Sequence, residues 1–180
     1  IFRSHDARIV PSVDPKNPEY GFERPRNDAL DACTTDWVFW VDTDEHLLDP
    51  QFVAKYLRQS LWDAVGVKHV HLAVDTTFST DYPARLLRRT ASDGRHARFF
   101  GKIHEHPELG LNEGPGPTLI ANDLFLAHIG YLGETGRRFR FVRNTPLLAA
   151  DEAKYPDRIL QKHMIIRDST DAASAPNGYG

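Results

Sequence analysis

The sequence predicts an α/β fold in which a mixed sheet is flanked by helices and followed by a C-terminal helical hairpin. The first observation behind this prediction is that strand-like and helix-like segments alternate through the first two-thirds of the chain. The second is an aromatic and β-branched run, Trp37–Val41, which is bounded by Asp36 and Asp42 and is typical of a strand covered on both faces. Hydrophobic residues make up 41% of the 180 residues, which is enough to build the core of one domain.

The remaining elements are predicted from apolar spacing and from turn residues. The proline-rich segment 9–25 predicts a loop, and Gly94 marks a later turn. Asp49 and Pro50 supply an N-cap and the favoured first-turn proline for a helix. The predicted elements are helices over 26–33 and 50–61 and strands over 36–42, 64–74, 84–89, 96–100 and 119–129, the last interrupted at 122–123.

The C-terminal third of the chain changes character. Residues 107–118 are rich in proline and glycine and predict a long loop. From Arg137 the spacing becomes helical, and two helices are predicted to join near Pro156, with Asp157 as a cap. The expected organisation is a sheet domain over 1–136, a helical extension over 137–170 and a flexible tail over 171–180.

Charge and cysteine content argue against several classes of protein. Twenty-two basic and 25 acidic residues give a formal charge of −3, which argues against a nucleic-acid partner. The longest apolar run is far shorter than the ~20 residues that span a bilayer, and no secretory signal is visible at the start. Cys33 is the single cysteine, so no internal disulfide is possible, which fits a reducing compartment. We expect the protein in the cytoplasm or at the cytoplasmic face of a membrane.

Three carboxylates, those of Asp42, Asp44 and Glu45, lie within four residues directly after the predicted strand. In open α/β sheets, ligands bind where strands end in this way. Like charges this close repel one another, so we expect a cation among them. Carboxylate oxygens match a hard divalent ion such as Mg²⁺ or Mn²⁺. The alternative is a solvated acidic turn that binds nothing.

Nine histidines form the second group of candidates. Three of them can serve as metal ligands or acid–base groups, namely His104, His106 and His128, although a structural role is the alternative for a histidine at a strand end. His69 and His71 alternate on one strand face and can pair on a metal, but a polar sheet face is the preferred interpretation. The others are interpreted as surface residues: His5, His46, His96 and His163.

Arginines form the third group. Arg26 lies at the start of a predicted helix, and Arg85, Arg88 and Arg89 surround two leucines of a predicted strand. Guanidinium groups match phosphate oxygens, and helix starts favour anions. The alternative for each is a salt bridge on a solvated face. That interpretation is preferred for the helical arginines Arg137, Arg138, Arg140 and Arg143.

Six segments follow one another in an order that is more specific than any of them alone. They are Pro25–Leu30, Thr35–Glu45, Arg85–Arg88, Phe100–Glu105, His128–Tyr131 and Arg143–Leu148. In this order they resemble the family-2 glycosyltransferases of GT-A fold. In that family an "ARN-x-AL" helix leads into a "GDW-hydrophobic-DADE" strand and turn, and an "RN-x-x-LL" helix often opens a helical segment. The resemblance covers about residues 24–168.

The resemblance implies transfer of a sugar, with inversion, from a nucleotide-diphosphate donor to a glycan, lipid or protein acceptor. It implies that Mn²⁺ or Mg²⁺ bound by Asp44 and His128 stabilises the leaving diphosphate. Asp42 would reach the donor ribose or the metal. Arg26 and Arg88 would contact the donor diphosphate or the acceptor.

An inverting displacement also needs a base, and the resemblance implies Glu105 or, as the second choice, His104 in that role. The chain departs from the family in two respects. The family's first strand, with its "S-x-GS-x-D-x-T" turn that binds the nucleotide base, is expected before residue 1, and Thr34–Thr35 replaces the usual Thr-Gly. The resemblance therefore predicts a GT-A-like, Rossmann-like sheet that lacks its first strands, in a fragment that is itself weak in donor binding.

Three other functions fit part of the pattern. A phosphohydrolase of the haloacid-dehalogenase type also has Asp-x-Asp after a hydrophobic strand, but it expects Thr or Val where His46 stands. A metal hydrolase built on the histidines at 69, 71, 104, 106 and 128 leaves the Asp42 cluster unexplained. A non-catalytic carbohydrate-binding or scaffolding fragment is the third alternative.

Overall fold

The computed structural model describes residues 9–58, 61–73, 78–131, 136–159 and 162–165. The helices are α1 (Glu23–Ala32), α2 (Val53–Leu57) and α3 (Gly136–Lys154), with a 3₁₀ turn, Pro50–Phe52, before α2. The strands are β1 (Trp37–Phe39), β2 (Glu45–Leu47), β3 (Ala64–Ala73), β4 (Phe78–Asp81), β5 (Ala84–Arg88), β6 (Arg98–Phe100), β7 (His106–Glu108) and β8 (Thr118–Tyr131). Across these ranges no helix is long and apolar enough to cross a membrane.

Six of the strands form one curled, mixed sheet. Its order is β1-β5-β3-β8-β2, and β4 pairs with the second half of β3 on the same side as β5. The β3–β8 pair is parallel, and the other described pairs of this sheet are antiparallel. β6 and β7 form a separate antiparallel hairpin. The fold is therefore mixed α/β with a few helices, as the sequence predicts at this level.

Helices cover the two faces of the sheet. On one face, Val65 belongs to a buried apolar cluster that Tyr56 of α2 closes. On the other face, Leu87 packs with Leu30 of α1 and Phe99 of β6. Each fully buried side chain of this size contributes about 1.5–3 kcal/mol relative to exposure. Burial on both faces of the sheet explains why its strands contain continuous apolar runs.

β1 is shorter than predicted and lies at an edge of the sheet. Trp37 and Phe39 pack toward the α2 side, whereas Val38 and Trp40 pack toward the α1 side. Both faces are therefore covered, as expected. The side chains stay half-buried because β5 is the one strand that pairs with β1 in the described chain.

Both predicted N-terminal helices need correction. α1 begins at Glu23, within the predicted loop, so Pro25 lies in its first turn, where a missing N–H removes no helical hydrogen bond. The helix predicted over 50–61 is a 3₁₀ turn followed by α2, which ends at Leu57. Asp49 precedes that turn but does not cap it, because its carboxylate accepts a hydrogen bond from Gln51 Nε2 (3.1 Å).

Three described strands, β2, β4 and β7, have no counterpart in the prediction. β2 lies between the first predicted strand and the helix predicted from residue 50, and β7 occupies the start of the segment predicted as a loop, with Pro107 inside the hairpin. β8 is continuous, but its pairing with β3 jumps from Ala121 to Phe125. The interruption predicted at 122–123 is therefore a bulge within one strand.

The predicted helical hairpin is described only in part. α3 ends before Pro156, and residues 162–165 are helical, while the rest of the second helix and the tail over 171–180 lie outside the described residues. Asp157 was the predicted cap. Instead, the N–H of Ile159 donates to Oδ1 of Asn112 (3.0 Å), which reaches it from a distant loop.

A fully buried arginine ties this C-terminal region to the β6–β7 hairpin. Arg158 donates to Asp151 Oδ2 of α3 (2.7 Å) and to the carbonyls of Ile103 (3.2 Å) and His104 (2.6 Å). A Cβ on Gly101 would collide with this guanidinium group, so glycine is needed there. The hairpin loop, and with it the backbone before Glu105, is thus fixed by a buried ion pair.

Candidate functional site

Strand register brings several of the candidate side chains together. β2, β8, β3 and β4 are neighbours, and Glu45 lies opposite His128, His128 opposite His71, and His69 opposite Asp81. Paired positions share a face of the sheet, as do residues two apart on one strand. Charged and imidazole groups from four strands therefore form one continuous row.

Two arginines neutralise two of the three carboxylates that follow β1, those of Asp42 and Glu45. Arg26 donates to Asp42 Oδ1 (2.8 Å), and Arg85 lies 3.5 Å from Asp42 Oδ2 and donates to Glu45. Both guanidinium groups stack on Trp40, 4.3 and 3.6 Å from its ring centroid. The repulsion that we expected a divalent ion to relieve is therefore relieved by arginines at Asp42 and Glu45.

Burial sets the electrostatics of this group. Burial alone would raise the pKa of Glu45, but the hydrogen bond from His69 and the Arg85 charge outweigh it and lower that pKa. Burial lowers the pKa of Arg85, and its carboxylate partners only partly oppose this. The Arg85 Nε atom is buried and makes no hydrogen bond within the described residues. Glu45 and Arg85 thus form an ion pair inside the protein.

Glu105 lies at the end of the hairpin loop, against Arg26. The side-chain amide of Asn27 donates to the Phe99 carbonyl and accepts from the Phe99 N–H, both at 2.9 Å, which fixes β6 to α1. Arg26 Nε donates to Glu105 Oε1, and the Glu105 side chain is 7% exposed. Burial raises the pKa of Glu105, although the Arg26 charge opposes it. A carboxylate with a raised pKa is suited to accept a proton near neutral pH.

Asp44 contacts His128 rather than an arginine. Oδ2 of Asp44 accepts a hydrogen bond from Nε2 of His128 (3.1 Å), and the Asp44 side chain is 47% exposed. Two ligand atoms at right angles on an ion with bonds of about 2.1 Å are about 3 Å apart. Gly130 leaves room for the pair, because a Cβ there would lie 2.6 Å from His128 Nε2. The oxygen and nitrogen donors therefore fit one divalent ion.

His69, His71 and His128 form what we call the tri-histidine cluster. One ring nitrogen of each lies within 4.8 Å of those of the other two. Asp81 Oδ1 lies 3.2 Å from both His69 Nδ1 and His71 Nε2. Burial alone would raise the pKa of Asp81, but these two imidazoles lower it well below its usual range. Interpreting His69 and His71 as a merely polar face misses their contact with His128.

Arg88 is not brought to this site. It lies opposite Trp37 at the other end of β1, and its Nε donates to the Trp62 carbonyl (2.9 Å). Arg85 lies three residues earlier on β5, about 10 Å away along a strand, and is the arginine beside Asp42. The position of Arg88 therefore does not support the prediction that it contacts the donor diphosphate together with Arg26.

The two histidines beside Glu105 differ in their surroundings. His104 has a left-handed backbone, with φ of 51°, and the Arg158 guanidinium holds its carbonyl. A non-glycine residue in that conformation costs on the order of 1–3 kcal/mol, which is typical of functional loops. Burial lowers the pKa of His106 to about 4, so its ring is neutral at neutral pH.

Sequence reasoning gave no role to Trp40 or Asp81, and it assigned the donor contact to Arg88 rather than to Arg85. A tryptophan at the end of an apolar run is ordinarily assigned to the core, and its stacking with two arginines depends on tertiary packing. Arg85 could have been preferred over Arg88 only with the register of β5 against β1. Asp81 carried no signal, since β4 was not predicted.

A pocket of about 260 Å³ lies away from these carboxylates. It is formed between α1, β6 and the end of α3, with Glu23, Lys102 and Tyr155 among its walls. Lys154 and Tyr155 both donate to Glu23 there (2.6 and 2.8 Å).

Comparison with known proteins leaves this site without an assigned relative. No protein-family model matches the chain, and no curated protein matches it significantly.

Proposed function

We propose that the chain is the catalytic part of an inverting, GT-A-type glycosyltransferase that uses a nucleotide-diphosphate sugar and Mn²⁺ or Mg²⁺. The observation that carries this proposal is the contact between Asp44 and His128, 84 residues apart in the sequence and 3.1 Å apart at Oδ2 and Nε2. Both are the residues that the resemblance to family-2 glycosyltransferases implies for the metal. A GT-A topology of the sheet is part of the same proposal.

Asp44 and His128 would hold the ion. A divalent ion supplies Lewis-acid stabilisation to the charge that develops on a departing diphosphate. Asp44 is suited to this role because, unlike Asp42 and Glu45, it contacts no arginine among the described residues and half of its side chain is exposed.

Arg26 links the donor side of the site to the proposed base. It contacts Asp42 through Nη2 and Glu105 through Nε, so one guanidinium group orients both carboxylates. Stacking of Arg26 and Arg85 on Trp40 restricts the arginine side chains. Arg26, whose side chain is 21% exposed, is the one of the two that can contact a diphosphate, because the Arg85 side chain is 5% exposed and paired with Glu45.

Glu105 is the proposed base. The acceptor hydroxyl oxygen forms its bond to the anomeric carbon while the bond from that carbon to the diphosphate oxygen breaks. Glu105 takes the hydroxyl proton, and the raised pKa produced by burial favours this transfer. His104 is the second choice, because it precedes Glu105 in the loop that Arg158 holds.

Binding of UDP and GDP, titrated with Mn²⁺ or with EDTA, tests the proposal. We expect affinity that requires the metal and that Asp44→Ala abolishes while the fold stays intact. Asp36→Ala is the matched control, because Asp36 is exposed at the opposite end of β1. Unchanged metal-dependent binding in Asp44→Ala would remove Asp44 from the site. No binding by the wild-type chain, even at nucleotide concentrations high enough to detect weak binding, would remove the proposed function.

The tri-histidine cluster favours one alternative, a metal-dependent hydrolase. Of the five histidines considered for that function, three come together, whereas His104 and His106 lie in the hairpin. Hydrolysis of a simple aryl phosphate or ester with Zn²⁺, without any nucleotide, would favour this alternative. A requirement for both nucleotide and metal favours the transferase.

A further inference from the structure

The contacts of His71 and His128 indicate which of their ring nitrogens carry protons when the rings are neutral. An ionised carboxylate can only accept, so a neutral imidazole beside it carries its proton on the facing nitrogen. Nε2 of His71 faces Asp81 (3.2 Å), and Nε2 of His128 faces Asp44 (3.1 Å). In the neutral rings the lone pairs are then on the two Nδ1 atoms, which face each other at 2.9 Å.

Two lone pairs at this distance repel each other unless a cation lies beside both. A proton on one ring is the simplest solution, and a metal ion bound by both nitrogens is the other. Two nitrogens bound to one ion with bonds of 2.0–2.1 Å are about 2.9 Å apart at right angles and about 3.3–3.4 Å apart at the tetrahedral angle. The observed 2.9 Å between Nδ1 of His71 and Nδ1 of His128 is therefore close to the spacing that a shared ion requires.

His69 provides an independent observation. Its side chain is 6% exposed and lies between two carboxylates, with Nδ1 3.2 Å from Asp81 Oδ1 and Nε2 3.0 Å from Glu45 Oε1. A neutral imidazole carries one proton, so one of these two nitrogens has a lone pair that faces a carboxylate. A cation at that nitrogen, either a second proton or a metal ion, removes the repulsion.

The surrounding charges favour a divalent cation. With neutral rings, the carboxylates of Asp44, Glu45 and Asp81 and the guanidinium of Arg85 sum to −2 among the described contacts of the cluster. Metal-bound histidines ordinarily donate their second N–H to a carboxylate, which orients the ring. Asp81 serves His69 and His71 in this way, and Asp44 serves His128.

We propose that His69, His71 and His128 bind a borderline transition-metal ion of the Zn²⁺ type, with Asp81 and Asp44 orienting the rings. Three imidazoles select such an ion over Mg²⁺, which prefers oxygen ligands. His71 and His128 are 17% and 16% exposed, so the ion has a path to the solvent. The inference uses Nδ1 of His128 and leaves its Nε2 to donate to Asp44, so it competes with the proposed function, in which Asp44 and that Nε2 hold the ion.

Titration of the nucleotide-free chain with Co²⁺, followed by visible absorption, and with Zn²⁺, followed by calorimetry, tests this site. We expect one ion per chain and the absorption of tetrahedral cobalt. His71→Ala and His69→Ala remove ligands and should weaken binding by more than the ~10–100-fold expected of the orienting variant Asp81→Asn. The matched control is His46→Ala, since His46 is exposed on β2, and it should leave the affinity unchanged.

The outcomes separate this inference from the proposed function. Absence of Co²⁺ uptake by the wild-type chain would overturn it, as would a loss in His46→Ala equal to that in His71→Ala. If a histidine variant fails to fold, the affinity of Asp81→Asn for Co²⁺ and the number of ions bound by the wild-type chain still test the site. One Co²⁺ per chain without any nucleotide binding supports this inference and contradicts the transferase. Nucleotide binding by a chain that takes up no Co²⁺ supports the transferase and contradicts this inference.

Discussion

Replacing Gly130 with alanine is expected to disrupt the pair formed by Asp44 and His128 without disturbing the sheet. Gly130 is exposed near the end of β8, and its backbone does not require glycine for a left-handed conformation. A Cβ at this position would lie 2.6 Å from His128 Nε2 and closer still to Asp44 Oδ2. The added methyl group therefore meets both atoms that are proposed to hold the metal.

The expected magnitude follows from these distances. To reach an ordinary contact of 3.4 Å, His128 Nε2 must move by about 0.8 Å relative to the new Cβ. Ligand distances in functional metal sites are held to about ±0.2 Å, so a shift of this size is several times the tolerance. Displacing an orienting partner costs ~10–100-fold in metal affinity, and we expect a loss at least that large for Mn²⁺.

The assay is Mn²⁺ binding in the presence of UDP or GDP, followed by calorimetry, with a thermal melt to check folding. Gly110→Ala is the control, because a Cβ there would meet only the flexible end of the Glu113 side chain. It should bind Mn²⁺ as the wild-type chain does. Wild-type Mn²⁺ affinity in a folded Gly130→Ala variant would refute the assignment of the metal to Asp44 and His128.

Three further predictions concern the base, the buried ion pair and the pH dependence of stability. Glu105→Gln should leave donor affinity nearly unchanged and reduce sugar transfer by ~10²–10⁴-fold, the usual contribution of a general base; full transfer activity would place the base elsewhere. Arg158→Met leaves the Asp151 charge buried and unpaired, which costs about 3–5 kcal/mol and roughly 6–20 °C in Tm. Breaking the exposed salt bridge between Arg24 and Asp28 within α1 should cost under ~1 kcal/mol, and equal losses would contradict the proposed anchoring role. Burial lowers the pKa of His106 from 6.5 to about 4, so the unfolded chain takes up the proton at a higher pH than the folded chain. The free energy of unfolding should therefore fall by up to about 3 kcal/mol as the pH falls from 6.5 to 4. In urea unfolding, the loss of stability between pH 7.5 and pH 5 should be smaller in His106→Asn than in the wild-type chain, and an equal loss would refute the role of His106.

The local elements of the fold could be predicted where residue pattern alone decides them. The strand that becomes β3 carries Val65, Val67 and Val70 in a mostly apolar segment, and its bounds match the prediction to within one residue. β4 could not be predicted, because its residues Phe78–Asp81 are mostly polar and form a strand by pairing with β3. α1 begins earlier than predicted because Glu23, a residue within the predicted loop, is held by Lys154 and Tyr155 from the far end of α3.

The candidate site could be predicted by residue type but not by partner. Asp44 and His128 were chosen separately, from a strand end and from the resemblance, and their contact depends on the antiparallel register of β2 against β8. The choice between Arg85 and Arg88 depends on which end of β5 meets Asp42, and the sequence contains no signal for this. Likewise, His69 and His71 join His128 only because β3 and β8 pair in parallel.

The central claim is that Asp44 and His128 hold the ion required for binding a nucleoside diphosphate. The most direct test of it is the thermal stability of the chain with UDP or GDP, measured once in Mn²⁺ and once in EDTA. A ligand at ~100 times its Kd adds about 2.7 kcal/mol of stability, which is roughly 5–10 °C in Tm for a domain of this size. We predict this shift only when the nucleotide and Mn²⁺ are both present, and we predict that Asp44→Ala loses it. An equal shift in EDTA, or none with Mn²⁺ and either nucleotide, would contradict the claim.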